Sequence, residues 1–239
     1  MKRYFEIKKL IENYGINKIL KAGVKEIHRK VWLEFINNSY SQCGEDVIIE
    51  KLFKENYVGR FLEIGAYHPK RLSNTYRLYK KGWRGIVVEP NPAVKELFMK
   101  FRPQDVFLNL GVSNKNQFLN YYQFIIPALN TFSRKESENS VNAGHKLEKV
   151  TKIKTIKIDE IIDKKIDFLS IDTEGFDEMI LMSWPWKKYK PEVICIETDK
   201  GNSNIEKLLW GKNYERKFEN KFNSIFVLKK SKLWDGRKP

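Results

Sequence analysis

Four short, largely apolar runs, Phe61–Ile64, Gly85–Glu89, Ile166–Asp172 and Glu192–Glu197, each carry a carboxylate at or near their C-terminal end: Glu63, Glu89, Asp172 and Glu197. Between and after them lie stretches with helical periodicity, Ser73–Lys81, Pro92–Phe101, Phe176–Met182 and Ser203–Leu209. Strands that alternate with helices build a parallel sheet covered on both faces. Near-continuous apolar runs fit that layout, because such strands are buried on both sides. In an open sheet of this kind, ligands bind in the crevice beyond the carboxyl ends of the strands. Acids next to helix N-termini gain some dipole stabilisation, but four strands that all finish in carboxylates point to a ligand-binding edge.

Three further segments complete the pattern. Val106–Leu110 reads as a third strand, and Tyr214–Phe218 with Ser224–Leu228 as an antiparallel pair near the end. Gln117–Tyr122 reads as an extra strand, and the polar stretch Asn130–His145 as a mobile loop or lid over the site. Ahead of the main domain, Ile7, Leu10, Ile11, Tyr14, Ile19, Leu20, Val24, Ile27, Val31 and Phe35 recur at helical spacing among charged residues. The expected organisation is therefore an amphipathic helical extension over 1–40, a main domain over 41–230 and a basic C-terminal tail over 231–239. The extension could pack on the core, form a homodimer contact or rest peripherally on a membrane surface.

No stretch approaches the roughly 20 apolar residues that a spanning helix requires, and the first residues lack a secretory-signal pattern. The expectation is a cytoplasmic protein. Cys43 and Cys195 form no metal-ligand pair or disulfide framework. Cys195 lies inside an apolar run and reads as core, as do Trp83, Trp184 and Trp186. A formal charge of +15 predicts a field that attracts anions; the plainer reading is lysine decoration of solvated faces.

The turn after the first run carries the chemistry. Glu63 and Gly65 give Glu-x-Gly, with Ala66 and Tyr67 following. A glycine there permits backbone conformations other residues avoid and close approach by a nucleoside-like ligand. Tyr67 and Lys70 stand where a dinucleotide fingerprint would need glycine, which disfavours NAD or FAD. Glu89 closes the next strand, where a carboxylate can accept from both ribose hydroxyls.

Taken together, several blocks resemble the FkbM family of methyltransferases: Ser41-Gln42-Cys43-Gly44-Glu45-Asp46, Phe61-Leu62-Glu63-Ile64-Gly65-Ala66, Ser73-Asn74-Thr75-Tyr76 and Gly82-Trp83-Arg84-Gly85. Val88-Glu89-Pro90-Asn91-Pro92, Ile171-Asp172-Thr173-Glu174-Gly175 and Val193-Ile194-Cys195-Ile196-Glu197 continue the series, in the family's order. The likeness spans roughly Tyr40 to Leu228. It implies a class I methyltransferase fold: a Rossmann-like, doubly wound α/β sheet with strand order 3-2-1-4-5-7-6, the last strand antiparallel. It implies S-adenosylmethionine as cofactor. Glu63, Gly65, Ala66 and Tyr67 would then line its methionine part, Glu89, Pro90 and Asn91 its ribose, and Asn109, Gly111 and Val112 its adenine. Asp172 and Glu174 would lie beside the transferable methyl.

Methyl transfer to a hydroxyl requires alignment of the nucleophile and help with loss of its proton. Asp172, Glu174 and His68 are the candidate general bases; His68 has the more suitable unperturbed pKa but could equally bond locally in its turn. Glu45 and Asp46 could reach a ligand or cap the helix behind them. A divalent cation such as Mg²⁺ would find oxygen ligands in Asp172, Glu197 and Asp199. The expected acceptor is a hydroxyl of a sugar, glycan or related natural product, in a form that can carry phosphate, within surface-polysaccharide biosynthesis. Nucleic acid is the alternative substrate, which the charge favours. No Asn-Pro-Pro-Tyr-like tetrapeptide follows the fourth strand, however, and no aromatic platform is evident. A methyltransferase-fold module that binds without catalysis is the other alternative.

Overall fold

A computed structural model describes residues 39–198, 203–231 and 233. The helical extension, Asp199 and nearly all of the C-terminal tail lie outside the described residues. In chain order the elements are α1 (Glu45–Lys51), β1 (Arg60–Ile64), α2 (Tyr76–Lys80), β2 (Arg84–Val88), α3 (Lys95–Phe101), β3 (Val106–Leu108), β4 (Gly111–Ser113) and β5 (Gln117–Phe124). There follow α4 (Arg134–Asn142), β6 (Leu147–Lys157), β7 (Phe168–Ile171), α5 (Asp177–Met182), β8 (Val193–Glu197), α6 (Ser203–Gly211), β9 (Tyr214–Glu219) and β10 (Asn223–Leu228).

The main sheet runs β3-β2-β1-β7-β8-β10-β9. Only β10 is antiparallel to its neighbours, while β1, β2, β3, β7 and β8 pair in parallel. Once β4, β5 and β6 are set aside as a separate sheet of order β4-β6-β5, this is the class I strand order expected from the sequence. The inserted sheet sits between the third and fourth strands of the main one.

Alternation along β1 divides the core. Leu62 and Ile64 face a layer with Ile86, Val88, Leu169, Ile171, Ile194 and Ile196. Phe61 faces the other side with Val87, Phe168, Val193, Cys195 and Trp83. Each such side chain contributes ~1.5–3 kcal/mol when fully buried. Trp184 and Trp186 are likewise buried, as expected of core residues.

Two expectations need correction. The stretch read as a mobile loop, Asn130–His145, contains helix α4. Ser133 caps it, its Oγ accepting from the backbone N–H of Glu136 at 3.2 Å. Ser133-Arg134-Lys135-Glu136 is the Ser-x-x-Glu of a capping box, a signal the polar composition obscured. The sequence reading also passed over β6, the longest strand, where Lys152-Ile153-Lys154-Thr155 alternates with period two.

Candidate functional site

The strand ends converge because the ladder runs to their last residues. Asp172 N–H donates to Ile64 O at 3.0 Å, Gly65 N–H to Val88 O at 3.0 Å, and Glu89 N–H to Leu108 O at 3.1 Å. Gly65 has φ of +81°, and a Cβ there would lie 1.6 Å from the carbonyl oxygen of Asp172. Glycine is thus required first for the close approach of the β1 and β7 ends, and the expected room for a ligand is secondary.

Beyond this edge lies a cleft of about 930 Å³, counting the part open to solvent. Gly65, Tyr67, Glu89, Pro90, Asn91, Gly111, Val112, Asp172 and Glu174, all anticipated from sequence, line it. So do Tyr121, Asn130 and Phe132 from the inserted sheet and the approach to α4, and Phe176 from the turn before α5. Asn130 and Phe132 fall in the stretch expected to cover the site, whereas Tyr121 and Phe176 were not singled out, since they belong to it only through tertiary placement. Gly111 makes that placement possible, because a Cβ on it would strike the Phe132 ring at 2.6 Å.

Glu89 is buried at the β2 end. Its Oε2 accepts from the backbone N–H of Tyr67 at 2.8 Å and its Oε1 from that of Asn91 at 2.7 Å. Tyr67 reaches this position with φ of 52°. The Tyr121 hydroxyl adds a third hydrogen bond. Burial pushes the carboxyl up to about 7, against the lowering effect of these donors.

Three other carboxylates gather past the far end, Asp172 and Glu174 on the cleft lining and Glu197 in an adjoining pocket. One oxygen each from Asp172, Glu174 and Glu197 lie within 4.8 Å of one another, all three residues half-buried. Burial raises the Asp172 pKa well above the usual carboxylate range, and the charges of Glu174 and Asp177 add to the effect. The turn that carries Glu174 is fixed from two sides. Asp177 accepts from the backbone N–H of Thr173 at 3.0 Å and of Gly175 at 3.2 Å. Thr131, ahead of α4, donates its hydroxyl to Glu174 O at 2.7 Å. This bracing holds Glu174 at φ of 55°.

Several predicted site residues are placed elsewhere. Glu63 points to the opposite face of the sheet, where its carboxylate accepts from Thr75 Oγ1 at 2.6 Å and Arg102 Nη1 at 3.0 Å. Strand alternation puts it on the side of Phe61, and it does not line the cleft. Ala66 packs in the core. Asn109 sits at the rim, its Nδ2 donating to Glu89 O and Pro90 O at 2.8 and 3.1 Å. His68 is not among the cleft-lining residues. Its Nδ1 accepts from the backbone N–H of Lys70 at 3.0 Å and of Arg71 at 3.1 Å, which is the local turn role. Of the expected cation ligands, Asp172 and Glu197 come together, joined by Glu174, which was not among them, whereas Asp199 lies outside the described residues.

Glu45 and Asp46 are also structural. Asp46 accepts from the hydroxyls of Ser39 and Ser41, at 2.5 and 2.8 Å, and from Tyr40 N–H at 2.8 Å. Glu45 accepts from Asn220 Nδ2 at 2.6 Å, tying α1 to the β9–β10 turn. The pair thus folds the Ser41–Gly44 segment back so that Gln42 reaches the cleft.

With this geometry in place, comparison with known proteins is informative. The Methyltransferase FkbM domain matches residues 63–221. No curated protein matches the chain. Among solved structures, the methyltransferase FkbM of Methylobacillus flagellatus KT is similar at 12% identity and a TM-score of 0.47, over 71% of this chain and 43% of that one. This chain therefore spans less than half the length of that protein. A putative caffeoyl-CoA O-methyltransferase of Staphylococcus aureus is similar at 14% identity and a TM-score of 0.45, over 88% of this chain and 99% of that one. The fibrillarin of Aeropyrum pernix, solved with S-adenosyl-L-methionine natively bound, shows 11% identity and a TM-score of 0.41, over 79% and 74%.

Proposed function

The chain belongs to the FkbM methyltransferase family, and from that premise we propose that it transfers the methyl group of S-adenosylmethionine to a hydroxyl of a sugar or glycan. The single observation that carries this reading is the division of the cleft into two ends. One holds the buried Glu89 between two backbone donors; the other holds Asp172 and Glu174, with Glu197 clustered against them from an adjoining pocket.

The lining fits the cofactor. Ionised Glu89 has acceptor capacity left for a pair of ribose hydroxyls. Leu110, Val112 and Phe132 offer apolar surface to a purine ring. Asp172 and Glu174 place negative charge where a sulfonium would lie. When bound, the cofactor supplies an electrophilic methyl.

The chain's own residues do the rest. Asp172 and Glu174 orient the acceptor oxygen and take up its proton. The elevated basicity of Asp172 suits it to that task. Phe132, Phe176 and the ordered segment before α4 shield the reacting centre from water. One observation supports a second way of handling the acceptor. The same three oxygens, Asp172, Glu174 and Glu197, form a hard-ligand set that suits Mg²⁺. In that case the cation would hold the acceptor oxygen and lower its pKa, and activity would vanish on chelation.

The carboxylate end disfavours a phosphate close to the methyl, so a phosphate on the acceptor must lie away from it. The test is titration calorimetry of S-adenosylmethionine against the wild-type protein and Glu89→Ala, followed by transfer of labelled methyl to sugar acceptors. Binding that is lost in the variant supports the reading; undiminished binding in Glu89→Ala overturns it.

A further inference from the structure

The two faces of the β5–β6 ribbon differ in chemistry. Odd-numbered residues of β5 turn inward, so that Tyr121 and Gln123 are buried and Tyr121 reaches the cleft. Phe118, Asn120 and Tyr122 turn the other way, up to the register shift before the buried Phe124. In register, Phe118 stands opposite Lys154, Asn120 opposite Lys152 and Tyr122 opposite Val150. Phe118 is 67% exposed and Val150 45%; Lys152 and Lys154 are exposed between them. The apolar surface continues past Val150 into a groove against α4, where Val141 and Leu147, also exposed, meet Tyr122. Five of the twelve residues from Lys146 to Lys157 are lysine, and Glu148 is the single acid among them.

We propose that this outer face docks on an anionic lipid surface. A single exposed apolar residue would mean little. Here a row of them lies along one rigid ribbon, with lysines interleaved. Such a row can place Phe118, Val150, Leu147 and Val141 at the headgroup–acyl boundary, while the lysine stems lie along it and their ammonium groups meet lipid phosphates. The charge of +15 draws the protein to a negative surface. A single-stranded nucleic acid would instead call for several exposed rings on which bases stack. On this face Phe118 is the one ring that is mostly exposed, and the remaining apolar residues are mainly aliphatic. Docking there would bring the membrane to the back of the ribbon whose front carries Tyr121, within reach of an acceptor that is itself lipid-linked. The docking stands apart from the methyl-transfer reading and can fail or hold without it.

The test is co-sedimentation of the full chain with phosphatidylcholine vesicles, with and without phosphatidylglycerol. Retention only by the anionic vesicles, falling as salt rises, is expected. Each lysine near a charged surface is worth about a fivefold change in binding. Lys152→Gln with Lys154→Gln should therefore weaken retention about 25-fold, and Phe118→Asp should abolish what remains. Lys187→Gln with Lys190→Gln removes the same charge from exposed positions in the loop before β8, and should leave retention nearly intact. Equal retention by neutral vesicles, equal loss in both lysine pairs, or retention that survives the ribbon substitutions overturns the proposal. So does displacement from vesicles by single-stranded RNA that depends on Phe118, which would make the face a nucleic-acid surface. Melting temperature and S-adenosylmethionine calorimetry on the same variants separate loss of docking from loss of fold or of the cofactor site.

Discussion

Glu63 and Arg102 form a buried ion pair at 3.0 Å, the arginine side chain fully buried and the glutamate almost so. Arg102 also holds Asp105 at 2.7 Å and lies over the rings of Phe61, Tyr79 and Phe98. The pair joins α3 to β1 beneath the site. Removal of Arg102 leaves the buried Glu63 and Asp105 carboxylates without their counter-charge, at a cost of ~3–5 kcal/mol, whereas removal of Glu63 leaves Arg102 paired with Asp105. Arg102→Met should therefore lower the denaturation midpoint steeply, whereas Glu63→Gln in folded protein should leave cofactor affinity within a few-fold of wild type. Calorimetry and chemical denaturation on the same samples check both outcomes.

Glu89 titrates close to neutrality. Its folded value of about 7 lies above the 4.5 of an unburied glutamate. Its contribution to stability is therefore fully present below 4.5 and is lost as pH rises through about 7, because the folded chain must then hold a buried charge that an unfolded chain solvates. Cofactor affinity should move the opposite way, since the ionised carboxylate accepts from two hydroxyls. Binding at pH 8 should exceed binding at pH 6, and Glu89→Gln should flatten the profile. Tyr121 donates to this carboxylate and lowers its pKa, so Tyr121→Phe should shift the midpoint to higher pH. Isothermal titration across that range measures both effects.

Gly65 admits no side chain. Alanine would combine an unfavourable φ with a contact 1.6 Å from the backbone of Asp172. Gly65→Ala should therefore separate β1 from β7 at the site and yield a protein that melts lower and does not bind the cofactor. Alanine at the exposed Gly144, whose Cβ would meet nothing within 4 Å, should cost far less. A thermal melt of the two variants makes the comparison.

Asp172→Asn removes the proposed proton acceptor and should lower turnover by about 10²–10⁴-fold, and loss of its charge beside the sulfonium should weaken S-adenosylmethionine binding as well. Chelation separates the two ways of handling the acceptor. If the carboxylates act directly, EDTA leaves turnover unchanged; if they hold a cation, EDTA abolishes it and Mg²⁺ restores it. Steady-state kinetics on dialysed enzyme checks both.

Much of this fold is legible in the chain because the parallel strands are apolar on both faces and end in recognisable acids and glycines. The runs at Phe61, Gly85, Phe168 and Val193 form strands with bounds within one or two residues of those expected. What the sequence hides is facing. Glu63 and Glu89 look alike as acids at strand ends, yet Glu63 sits two residues before Gly65 on the Phe61 face, while Glu89 follows the last residue of β2 and turns into the cleft. The insertion is hidden for another reason. Gln117–Tyr122 is legible as a strand, but the outer face of β6 is solvated and lysine-rich, so hydrophobicity alone does not mark its partner, and Tyr121 cannot be assigned to the site until the two fold over it.

The most direct measurement is a crystal structure with S-adenosylhomocysteine. The account predicts ribose hydroxyls within hydrogen-bond distance of both Glu89 oxygens and a sulfur beside Asp172. A ligand bound outside the cleft, or one whose ribose leaves Glu89 untouched, would contradict it.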